Sequence, residues 1–275
     1  MKKTLRSDTI KIIAMVLMVI DHIGLAIFEP IYLTSTDYNT VVTFYYLRLI
    51  FTAFGRVAFP LFAYQLMRGF FYTRNRMKHV LTLLVFALIT EVPFDLFNAN
   101  EIINFTYQNV LFTLLLGTIM MCALDMVNAS DLFNDKDDKK GRILGYSIQA
   151  FIIVAFSCAA VLIKCDYTAK GIILIAILYY ARNEKSKLIT LAPVLFVADI
   201  FFVTLLLTRS LDATINYCEI EIYAVVAFFI MYLDNGERKG GKALKWMGYA
   251  FYPLHMLALY FISPPIIQHF CRTLF

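Results

Sequence analysis

The stretch MVLMVIDHIG, Met15 to Gly24, places an acid and a histidine side by side in an otherwise apolar run. A helix on the surface of a soluble domain shows a polar residue every three or four positions. None occurs from Ile12 to Ile20. From residue 10 to residue 28 the polar exceptions are Lys11, Asp21 and His22. A helix of that length covers about 28 Å, close to the roughly 30 Å hydrocarbon layer of a bilayer.

The rest of the chain repeats the pattern. Of 275 residues, 60% are hydrophobic and 16% charged. Soluble domains carry about 45–50% and about 25%. Mean hydropathy is +0.70. The apolar residues fall in blocks long enough to cross a membrane, so the fold class is all-α, a polytopic integral membrane protein. The predicted spans are residues 10–28, 57–73, 80–98, 106–127, 145–163, 167–182, 187–208, 216–233 and 244–262. The stretch 41–54 is apolar but shorter and contains Arg48, which predicts a re-entrant or interfacial helix. The expected architecture is therefore nine transmembrane helices plus that one, ten in all, in a single domain over 1–275. The basic start is read as leading into a retained first span, because no small-residue cleavage site follows it.

The net charge of +5 does not point to nucleic acid. The basic residues lie in short loops between apolar blocks, which is a topology signal. With the N-terminus in the cytoplasm, the inner segments hold Lys2, Lys3, Arg6, Lys11, Arg74, Arg76, Lys78, Lys136, Lys139, Lys140, Arg142, Arg182, Lys185, Lys187, Arg238, Lys239, Lys242 and Lys245. The outer side holds Arg48, Arg56, Lys164, Lys170, Arg209 and Arg272, so the balance is 18 to 6. Localisation in the cytoplasmic membrane follows from that reading. Asp131–Ile143 reads as a solvated inner loop. The five cysteines (Cys122, Cys158, Cys165, Cys218, Cys271) are isolated, so neither a disulfide framework nor a metal is expected. There is no internal repeat of the kind that builds inverted-repeat transporters.

Ionisable groups inside a span cost roughly 2.5–3.5 kcal/mol on insertion scales and persist where they face a partner or a watery cavity. Counting 1.5 Å per residue, His22, Glu91, Asp199 and His255 all lie about 17–18 Å from the inner ends of their helices. Either each is a satisfied pair that joins helices, or the four share a site. Tyr252 and Pro253 lie close below His255 in FYPLH. Adjacent residues on a helix point about 100° apart, so Asp21 is not placed to orient His22. Asp21 is expected to pair with Arg56, and Glu91 or Asp199 to orient His22. The segment GRVAFPLFAYQLMRGFFYTRNRMKHV carries Arg56, Arg68, Arg74, Arg76 and Lys78. This ladder suits an anionic ligand entering from the cytoplasm, since arginine binds phosphate as a bidentate fork. Its three inner cations also set topology on their own.

These motifs together resemble one family. DHIG, GRVAFPLFAYQLMRGF with YTRN, EVPFDL, QNVLFT, DYTAKGI and FYPLH occur in the order and spacing of the TraX family, over nearly the whole chain. That family is grouped with the transmembrane acyltransferases, which move an acyl group from cytoplasmic acetyl-CoA to an acceptor across the membrane. The resemblance implies catalytic roles around His22, as base or transient acyl carrier, with Asp21, Glu91 and His255. It implies Arg56, Arg68, Arg74, Arg76 and Lys11 for holding the CoA phosphates. Asp95, Asp199, Tyr252 and Asn109 would shape the site. Lys11 and His22 keep the family's basic-x10-His spacing, with Lys where many relatives have Arg. The implied partners are an acyl-CoA co-substrate, the bilayer, and an acceptor such as a glycan, a lipid head group or a peptide amine. The competing readings are a proton-coupled transporter and a membrane scaffold.

Overall fold

The computed structural model describes residues 4–130, 133 and 139–274. The inner loop beginning at Asp131 lies mostly outside them, as do Lys2, Lys3 and Lys136. Among the described residues there is no strand, and ten helices follow one another. They are α1 (Ser7–Thr34), α2 (Tyr38–Tyr72), α3 (Arg76–Ala99), α4 (Val110–Asn128), α5 (Lys139–Leu162), α6 (Thr168–Ala181), the short α7 (Lys185–Ile189), α8 (Leu191–Thr208), α9 (Leu211–Tyr232) and α10 (Gly241–Leu274). Eight are long and apolar enough to cross a membrane, and α6 is a shorter apolar helix. The all-α polytopic architecture is as the sequence predicts.

Two expected elements differ: the predicted span 187–208 is divided at Thr190 into α7 and α8, and the interfacial segment is not separate. Residues 41–54 are not a separate re-entrant helix. They run on into the second span as α2, 35 residues long, with a break at Val57. Short apolar length misled because Arg48 and Arg56, which break the apolar run of this half of α2, are both neutralised within the bundle. The two pieces together make one candidate span.

The helices alternate in direction, so their ends gather at two faces. The N-terminal face holds the start of α1, and the opposite face holds the 100–109 and 163–167 connections. Local chemistry fixes the ends: Asp37, Asn75, Asn109 and Ser210 each cap a helix start with a side-chain oxygen. The most enclosed helix is α6. It is apolar all round and buries Ile172, Leu174, Ile175, Leu178 and Tyr179 completely between α2, α4, α5 and α8.

At the N-terminal face the segment before α1 is stitched to the α9–α10 connection. Leu5 N donates to Leu233 O (3.1 Å), Asn235 N to Leu5 O (2.8 Å) and Ser7 N to Glu237 O (3.0 Å). The centre of this knot is Asp234, fully buried. Its carboxylate accepts from the hydroxyls of Ser7 and Tyr64 and from Gly236 N, each at 2.9 Å, and pairs with Arg68. It thereby joins α1, α2 and the α9–α10 connection.

Candidate functional site

Helices α1 and α10 pack side by side and bring two histidines into contact. His22 Nδ1 lies 2.7 Å from His255 Nε2. The rings meet edge to edge and nearly coplanar, their centroids 4.9 Å apart and their planes at 15°. Phe97 and Tyr252 flank His22, their rings 5.6 and 6.3 Å away. His255 Nδ1 faces the Phe251 carbonyl at 2.8 Å. Directly beyond His22, α1 makes a π-helical turn over Gly24–Phe28. Such turns are rare and frequent at functional sites.

Asp21 points elsewhere, into a mixed-charge cluster. Its carboxylate is 3.3 Å from Arg48 and 4.0 Å from Arg56. Arg48 also binds Glu29 at 2.9 Å, and Arg56 binds Glu221 at 2.9 Å. The expected Asp21–Arg56 pair is therefore the weaker contact, with Arg48 the nearer partner. This close approach depends on Gly55, where a Cβ would collide with the Asp21 side chain. Gly55→Ala should destabilise the protein by about 1–3 kcal/mol, as overpacking does. Thermal unfolding in detergent checks it; a variant as stable as the parent would show that Asp21 moves freely. Toward the opposite face, Asp166 lies at the rim of this cluster. Enclosure by protein raises its carboxyl above the ordinary range, Arg56 opposes that rise, and Asp21 adds to it.

On the other side of the histidines a cavity of about 440 Å³ extends toward the N-terminal face. Its inner end is lined by Met18, Val110 and Tyr252. Met18 lies four residues before His22 and Tyr252 three before His255, one helical turn in each case. Its mouth carries Lys11, Arg238 and Lys245 with one carboxylate, Asp8. Asp8 is already engaged, accepting from Lys239 N and from Gly240 N. Lys11 Nζ donates to Leu244 O at 3.0 Å and lies against Gly248, where any Cβ would strike it. The mouth is thus cationic, and the interior is mostly apolar with tyrosine hydroxyls.

The structure places the sequence-derived residues unevenly. His22 and His255 form the histidine pair, and Tyr252 and Lys11 line the cavity. Glu91 does not meet His22. It accepts from the Asn109 backbone at 3.0 Å and from Asn109 Nδ2 at 2.5 Å, while Asn109 caps α4. Asp95 accepts from Asn104 N at 2.8 Å. These three therefore hold the 100–109 connection. Asp199 is buried on α8, and neither of its oxygens has a hydrogen-bond partner among the described residues. The four groups counted to one depth thus resolve into one contacting pair and two separate carboxylates. Of the predicted phosphate ligands, Arg68 pairs with Asp234, Arg76 with Asp125 at 2.5 Å, and Arg56 with Glu221. Arg74 is exposed. None of these four lines the cavity.

Arg238 and Lys245 were counted only as topology signals, although RKGGKALK packs four cations around two glycines at a helix start. Glu221 was passed over as part of an apolar span. A carboxylate in that span is the same signal that singled out Glu91. Among the described residues no group of His, Cys, Asp and Glu is arranged to hold a metal ion.

The fold and site define a polytopic helical membrane protein with a cationic-mouthed cavity ending beneath a histidine pair. The chain matches the TraX protein family over residues 6–263 and belongs to it. It is 25% identical over 263 residues to a protein of Dichelobacter nodosus named probable fimbrial assembly protein FimC, serogroup H1. The alignment covers 91% of this chain and 92% of that relative. No solved structure matches.

Proposed function

We propose that this protein is a membrane-bound acyltransferase that uses acetyl-CoA or a related acyl-CoA as donor. The observation that carries the reading is the cavity, which joins a cluster of cations at the N-terminal face to the space one turn beneath His22 and His255. Lys11, Arg238 and Lys245 offer charged donors for the phosphates of the nucleotide end. The narrow apolar interior suits a thioester-bearing arm. The N-terminal face is then cytoplasmic, in keeping with the 18-to-6 charge balance of the sequence.

The chemistry needs one base and no metal. His22 takes the proton of an acceptor hydroxyl or amine as its lone pair attacks the thioester carbon. The tetrahedral intermediate expels the CoA sulfur with the bonding electrons. His22 returns the proton to that sulfur, giving acylated acceptor and free CoA thiol. Tyr252, buried with its ring beside both histidines, offers a hydroxyl for the developing oxyanion. The name of the fimbrial relative favours an amine or hydroxyl on an exported fibre subunit as acceptor.

Binding of radiolabelled acetyl-CoA to the purified protein tests the donor. Saturable binding is expected, and Arg238→Ala and Lys245→Ala should each weaken it roughly tenfold, the worth of one charge-assisted hydrogen bond. Absence of binding at millimolar donor would overturn the reading.

A further inference from the structure

The histidine pair says more, about where the protons sit. The purpose of this arrangement rests on the acyl-transfer reading, but its geometry does not. His255 Nδ1 is 2.8 Å from the Phe251 carbonyl, one turn back on α10. A carbonyl oxygen only accepts, so Nδ1 is the protonated nitrogen of that ring. In a neutral imidazole the other nitrogen is then bare. That bare Nε2 faces His22 Nδ1 at 2.7 Å. Two bare nitrogens at that distance would oppose lone pair to lone pair. His22 therefore carries its proton on Nδ1 and donates it to His255, which leaves His22 Nε2 unprotonated.

We propose that His255 is a positioning residue which, anchored by the Phe251 carbonyl, locks His22 in the tautomer whose Nε2 is the free base. An orienting group of this kind is a carboxylate in many hydrolases. Here it is a neutral imidazole, which suits a site within the bilayer because no second charge has to be desolvated. When Nε2 takes the acceptor proton, the His22 cation keeps its Nδ1–H bond to His255, now charge-assisted and stronger. The proton then leaves from Nε2 to the CoA sulfur, and Nδ1 keeps its own proton throughout. The order of events at Nε2 is thus fixed before substrate arrives, with the ring orientation held by the Nδ1 contact to His255.

The test has two independent parts. Nitrogen-15 spectra of histidine-labelled protein in lipid nanodiscs, with His79 and His269 replaced by Gln to simplify assignment, read the tautomer directly. Protonated Nδ1 and bare Nε2 are expected for both His22 and His255. A His22 ring protonated at Nε2 would overturn the proposal, and that outcome would also expose a doubly protonated His255. The second part follows thiol release from acetyl-CoA in membranes containing the full-length protein. His255→Leu, which offers no acceptor, should lower kcat about 100-fold with the acetyl-CoA KM changed less than about twofold. His255→Gln, whose Oε1 can accept from His22 Nδ1, should recover most of that loss. Equal losses in the two variants would reduce His255 to a packing residue. If the Leu variant does not accumulate, the Gln variant and the parent spectrum still decide. If parent membranes release no thiol, the acyl-transfer reading fails while the spectra still report the tautomer.

Discussion

Replacing His22 with Ala should reduce transfer of label from radiolabelled acetyl-CoA to membrane material by about 10³-fold, within the usual range for loss of a general base. The reduction should appear in kcat. The cations at the cavity mouth lie several turns away and are untouched, so donor binding should persist. The fold should persist too, because among the described residues His22 is in no ion pair and meets His255 through one ring edge. A variant that keeps full activity removes His22 from the reaction, and one that loses donor binding shows that the histidine supports the cavity instead. Asp21→Asn makes a useful companion: it loosens the Arg48 contact but leaves the His22 ring in place, so its effect on kcat should be far smaller.

The largest expected effect on stability belongs to Asp234. Asp234→Ala strips the counter-charge from Arg68, whose side chain is 12% exposed, and orphans the donors of Ser7, Tyr64 and Gly236. Removing one partner of a buried pair costs about 3–5 kcal/mol, because the remaining charge stays buried and uncompensated. That corresponds to a drop in melting temperature of roughly 10 °C for a chain of this size. Arg68→Leu combined with Asp234→Ala should recover part of the loss, since no bare charge then remains. A single Asp234 variant that melts like the parent would mean that water already reaches this knot. Arg68 is thus a structural residue, and the appeal of its place in the arginine ladder came from counting depth without knowing its partner.

Much of the fold was legible because a membrane imposes a simple rule: apolar length and flanking charge. The long apolar helices fell near the predicted spans, and the 167–182 block is a helix too, shorter than the eight candidate spans. The 41–54 segment was not, because Arg48 looks prohibitive until Asp21 and Glu29 are seen around it. The same limit governs the site. Depth along a helix can be counted from sequence, and it correctly put His22 and His255 within reach of each other. Direction around a bundle cannot, so Glu91 and Asp199 were drawn to a centre they do not touch. Glu91 faces the cap of α4, and the meeting of Asn109 with Glu91 spans 18 positions that no local pattern connects. Lys245 and Arg238 were hidden for a different reason: loop cations explain topology well enough that nothing calls for a second role.

The π turn after His22 has a consequence for how the helix faces are indexed. Asp21 and Glu29 are eight positions apart, and in a regular α-helix that separation leaves them about 80° apart around the axis. Both nevertheless grip Arg48. A π turn takes up one extra residue, so the eight positions act as seven, and the two carboxylates come within about 20° of one azimuth. The insertion therefore works as an angular gear. It lets one arginine read two acids from adjoining segments of α1, while His22, below the slip, keeps the heading that points it at α10.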